Sequence, residues 1–91
     1  MSNREAAPTV VCMYAATTGL PERVAEFRWS ADAGVTLQVF DEGWGRLARR
    51  YYENGVPDQI NNRTVASTDG KAFLAALTRV RAGSYCSFVP E

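Results

Sequence analysis

The chain has 91 residues, equal numbers of acidic and basic side chains, two cysteines and no histidine. A chain of this size forms one domain and commits most of its large apolar residues to a core; its apolar content of 46% is enough to make that core and argues against a disordered chain. The missing histidine excludes Ser-His-Asp and Cys-His nucleophiles, His-ligated metals and the usual near-neutral proton shuttle. The zero formal charge provides no general attraction to nucleic acid or to an anionic membrane.

Residues 1–8 are small or polar, end in Pro8 and read as a disordered leader. They lack the apolar stretch of a secretory signal. No run approaches the ~20 apolar residues of a membrane span. A cytoplasmic protein with reduced cysteines is therefore expected. The preference for Arg over Lys and the abundance of Ala match the codon bias of a GC-rich bacterial genome.

The first ordered segment, Thr9 to Ala16, is β-branched and apolar and has the length of a strand; Thr17-Thr18-Gly19-Leu20-Pro21 ends it. From Val24 to Ser30, Ala25, Phe27 and Trp29 alternate with Glu26, Arg28 and Ser30, the period of a half-buried strand. A short helix begun by Pro21 is the competing reading. After the turn residues Ala31 to Gly34, Val35, Leu37 and Val39 share a face, so residues 24–40 are expected to form a β-hairpin.

Between Asp41 and Pro57, Gly43 and Gly45 weaken a helix, whereas Asp41 can cap one, and Trp44, Leu47, Ala48 and Tyr51 recur at helical spacing. Asn54-Gly55-Val56-Pro57 then supplies a left-handed stop. A helix is favoured over a strand pair turning at Asn54-Gly55. Asp58 to Asn62 reads as a loop and Arg63 to Ala66 as a short strand. The last helix begins at Ser67 or Thr68, carries Phe73, Leu74, Leu77 and Val80 as its buried stripe, uses Arg79 and Arg81 at its C-terminal dipole, and stops at Gly83. Residues 84–89 close the chain as a strand. No internal repeat or linker is present. The order β-β-β-α-(β)-α-β predicts a single α+β domain over 9–91: a mostly antiparallel sheet of four to five strands with two helices on one face.

Few residues suggest chemistry. Cys12 and Cys86 are too far apart in sequence to form a clustered zinc site and read as buried thiols, although neighbouring strands would permit a bridge. Asp41 and Glu42, adjacent in sequence, point apart and read as a cap with a dipole-facing partner. Lys71 reads as solvated surface. The Gly43-Trp44-Gly45 cluster belongs to no phosphate-binding fingerprint. The Asn62-Arg63-Thr64 sequon carries no weight in a cytoplasmic chain. No enzyme, metal or cofactor is expected.

Charge is nonetheless uneven: residues 1–45 carry three Arg against six acids, and residues 46–91 carry six Arg and one Lys against four. Within Trp44 to Tyr52, a helix places Trp44, Leu47, Ala48 and Tyr51 against the sheet and directs Arg46, Arg49, Arg50 and Tyr52 outward. Arg and Tyr combine flat contact area with directional hydrogen bonds and dominate binding hot spots. The sequence thus points to a small non-enzymatic interaction protein, of the inhibitor, immunity or accessory-subunit type. Its partner binds at Arg46, Arg49, Arg50 and Tyr52, or it self-associates there or at a sheet edge. Two alternatives stand beside this reading. The same arginines could contact nucleic-acid phosphates, or Trp29, Trp44, Tyr51 and Phe73 could line a small-molecule pocket.

Overall fold

A computed structural model describes residues 8–16, 19–58, 60–81, 83 and 85–91. The leader apart from Pro8, Thr17 and Thr18 of the first turn, Gln59 of the loop and Ser84 at the start of the last strand lie outside the described residues.

The alternating N-terminal sequence forms an antiparallel meander of β1 (Val10–Ala16), β2 (Pro21–Ser30) and β3 (Gly34–Val39). β2 starts at Pro21, not at Val24, and no helix forms there. The register against β1 slips where Met13 pairs with Ala25 but Tyr14 with Arg23. The extra residue of this bulge lets Val24 and Ala25 both face inward, so the period-2 pattern breaks in mid-strand. At the β2–β3 turn, Ser30 Oγ accepts from Ala33 N–H at 3.1 Å and Gly34 takes a φ of 70°.

Residues 42–54 are helical. In α1 (Glu42–Asn54), Asp41 Oδ1 accepts from Trp44 N–H at 3.0 Å, which satisfies one of the helix's free amide donors. Gly55, at φ 94°, ends the helix by donating to Tyr51 O at 2.9 Å. The chain then makes a two-stranded hairpin from β4 (Val56–Asp58) and β5 (Arg63–Val65). β4 occupies residues whose sequence reads as helix stop and loop. This hairpin forms its own sheet, leaving a main sheet of four strands in the order β3-β2-β1-β6.

α2 is shorter than expected. Ser67–Asp69 forms only a 3-10 turn, with Asp69 accepting from Ala66 N–H at 2.9 Å. Gly70 interrupts at a φ of 66°, and α2 covers only Lys71–Leu77. At its end the Thr78 hydroxyl donates back to Ala75 O. The final strand, β6 (Cys86–Pro90), pairs antiparallel with β1, so the last strand closes against the first.

Both helices contribute to one core with the sheet's inner face. Phe27, Phe73, Met13, Leu74 and Leu77 are its largest fully buried members. No helix among the described residues is long and apolar enough to cross a membrane. α1 approaches the sheet most closely at Gly45, where a Cβ would stand 2.5 Å from Val39 Cγ1. Gly45→Ala is expected to destabilise the protein by about 1 kcal/mol. The overpacking cost outweighs the ~1 kcal/mol gained from helix propensity. In a Val39→Ala background the same substitution is expected to stabilise, and denaturant midpoints of the four chains check the change of sign.

Candidate functional site

The arginines at 46, 49 and 50 fall at i, i+3 and i+4 of α1 and share one helix face, and all three are exposed. Arg49 Nη1 lies 3.6 Å from Glu42 Oε1, whose side chain is itself almost fully exposed. Screening keeps such a pair weak, so Arg49 can exchange Glu42 for an external carboxylate. Among the described residues, Arg46 and Arg50 have no ion-pair partner. Glu42, Gly43, Arg46 and Arg49 border a shallow depression of about 240 Å³.

Tyr52 does not belong to this face. It is half-buried against the core, and its hydroxyl donates to Val35 O at 2.8 Å. Tyr51 is turned inward as well, its ring meeting Phe88 edge-on at 5.8 Å. Burial raises its phenol above the ordinary value. α1 therefore covers the core with a wider arc than the Trp44-Leu47-Ala48-Tyr51 stripe, and its outward surface carries the three arginines together with Glu42, Gly43, Glu53 and Asn54.

The aromatic residues considered for a small-molecule pocket do not converge on one cavity. Phe73 packs edge-on against Phe27 at 5.8 Å. Tyr51 packs on Phe88. Trp29 lies beneath Lys71, whose Nζ is 4.5 Å from the ring centroid. Lys71 is thus exposed surface that also makes a cation–π contact. A concavity of about 480 Å³ opens instead between the C-terminal ends of both helices and the β4–β5 hairpin, lined in part by Tyr51, Ile60, Arg79 and Arg81.

At the base of that groove is Asp58, whose side chain is only 2% exposed. Its Oδ1 accepts from Ile60 N–H at 3.2 Å, and its Oδ2 accepts from Asn61 Nδ2 at 2.7 Å and from Arg79 Nη2 at 3.1 Å. The Asn61 bond, assisted by Arg79, holds the carboxyl below the ordinary carboxylate range against the opposing effect of burial. Arg79 therefore fastens the hairpin to the end of α2 instead of complementing that helix's dipole. No sequence signal marks a pair 21 residues apart.

The cysteines are unsuited to nucleophilic chemistry. Both are free and buried, and burial pushes both thiols up. They occupy neighbouring strands, but Cys12 pairs with Val89 and Cys86 with Ala15. That offset of three positions puts their side chains on opposite faces, so they cannot bridge.

No protein-family model, curated protein or solved structure matches this chain.

Two consequences can be measured. Because the Asp58 carboxyl titrates below its unfolded value of about 4, its stabilising contribution is present above that pH and is lost as pH falls through the lower folded value. Asp58→Asn is expected to be less stable than wild type at pH 7 and to lose less stability between about pH 5 and pH 2, as read by thermal midpoints across that range. Tyr52→Phe should cost about 1 kcal/mol, the net worth of one hydrogen bond, in denaturant unfolding.

Proposed function

We propose that the protein is a non-catalytic interaction module of the bacterial cytoplasm that docks an acidic protein surface on the outward face of α1. The observation that carries this reading is the exposed Arg46-Arg49-Arg50 face on a firmly held helix. α1 is capped by Asp41, hydrogen-bonded to β3 through Tyr52 and packed on β6 through Tyr51. A rigid element presents its side chains with little further ordering cost on binding. Arg contributes bidentate recognition of carboxylates in addition to its charge.

The absence of histidine, the two buried thiols and the engagement of Asp58 with Asn61 and Arg79 support a binding role over a catalytic one. Phosphate contact by the same arginines is less well supported. The net charge is zero, which provides no general attraction to a polyanion.

Arg46→Ala/Arg49→Ala/Arg50→Ala is expected to keep the fold and to reduce capture of the specific partner from source lysate at least ~tenfold, the loss typical of a hot-spot cluster. Labelled DNA and RNA are expected to show no mobility shift with the wild type even at low salt, where phosphate contacts are strongest. Equal capture by the folded triple variant would sink the proposal; a salt-sensitive mobility shift would replace it with the nucleic-acid reading.

A further inference from the structure

The two edges of the main sheet differ. β3 is guarded: the Val35 carbonyl accepts the Tyr52 hydroxyl, and α1 and the 3-10 turn pack against the strand. β6 has no such cover. It is the other edge strand, and no described backbone or side-chain group bonds to its outer side. Native proteins blunt open edges with charge, proline or short length. β6 has a proline and is short, but Cys86-Ser87-Phe88-Val89-Pro90 contains no charged residue.

Hydrogen bonds at both ends of the β1–β6 ladder fix which groups point outward. Ala16 N–H donates to Tyr85 O, and Glu91 N–H donates to Val10 O, each at 2.9 Å. In an antiparallel ladder the bonded pairs alternate with non-bonded ones. Tyr85, Ser87, Val89 and Glu91 therefore bond to β1, whereas the backbone groups of Cys86, Phe88 and Pro90 face the free edge. The proline occupies a position where its missing N–H interrupts no bond to β1.

This pattern is self-complementary. In a two-fold antiparallel pairing centred on Phe88, each Phe88 N–H meets the Phe88 carbonyl of the other copy, and each Cys86 N–H meets the carbonyl of Pro90 in the other copy. Pro90 then acts only as an acceptor, the one role its backbone can fill. On the outer face, Ser87 stands opposite Val89 of the second copy in close, non-bonded pairs. Both residues are exposed in the single chain, and no like charges oppose one another.

We propose that β6 is a self-association edge, through which two copies join their sheets into one continuous antiparallel sheet about a two-fold axis at Phe88. This surface is separate from the arginine face of α1. A strand of five residues buries less than the ~1,200 Å² of a standard stable interface, so the dimer is reversible and fills with concentration.

Sedimentation velocity on the full chain from about 1 µM to about 1 mM, a range spanning weak association constants, tests it. The wild type is expected to pass from monomer to dimer. Ser87→Lys/Val89→Lys, which sets lysines opposite one another across the axis, should weaken association at least ~tenfold. Ser87→Lys/Val89→Glu, which sets Lys opposite Glu in the same register, should restore it to within a few-fold of wild type. Circular dichroism confirms that each variant is folded. A wild type that stays monomeric throughout, or association indifferent to the double-lysine change, overturns the proposal. Failure of the Lys/Glu chain to recover overturns the register and with it the two-fold axis at Phe88.

Discussion

Phe27 is the node on which the remaining packing depends. It is fully buried in β2, its ring meeting Phe73 of α2 edge-on at 5.8 Å and Phe88 of β6 at 6.4 Å. Phe88 in turn takes the edge-on ring of Tyr51 from α1. This aromatic chain ties both helices and the last strand to the centre of the meander. A buried Phe in such a position is worth ~3–5 kcal/mol on truncation, a large share of the 5–15 kcal/mol that typically separates folded from unfolded domains. Phe88 reaches its place only when β6 pairs with β1, so core closure and end-to-end strand pairing are the same event.

That closure determines the surface. With Tyr51 drawn toward Phe88 and Tyr52 toward Val35, the roll of α1 is fixed, and Arg46, Arg49 and Arg50 are left on a face the core does not claim. Gly45 allows the approach, because any larger residue would meet Val39. The same asymmetry shapes the sheet edges. The tyrosine that fixes α1 also occupies a β3 carbonyl, while β6, held from inside by Phe88, keeps its outer backbone unpaired.

Much of the architecture was legible in the sequence because local signals and global fold agree. Alternation identified the β2–β3 hairpin, Asp41 and Gly55 marked the ends of α1, and Phe73, Leu74 and Leu77 identified the buried face of α2. The parts that could not be read depend on long-range contacts. The β2 bulge shifts the hydrophobic phase at Val24. β4 is a three-residue strand containing a proline, too short to show any period. α2 starts late because Gly70 turns the chain before it, and it ends early where the Thr78 hydroxyl bonds back to Ala75 O. Tyr52 points inward because α1 is covered over a wider arc than one helical stripe, which follows from how β2, β3 and the 3-10 turn pack against it. The arginine positions were readable because nothing tertiary competes for them. The Asp58–Arg79 link was not, since its partners lie on separate elements.

The chain thus offers a closed core, two buried thiols and an arginine-bearing helix face set by its own packing. Arginine-directed dicarbonyl labelling, read residue by residue by mass spectrometry on the free protein and on the captured complex, tests the role of that face most directly. Arg46, Arg49 and Arg50 should react readily in the free chain and become shielded in the complex, while Arg79, engaged with Asp58, reacts slowly in both. Equal labelling of the three arginines in free and bound protein would contradict the assignment of α1 as the docking surface.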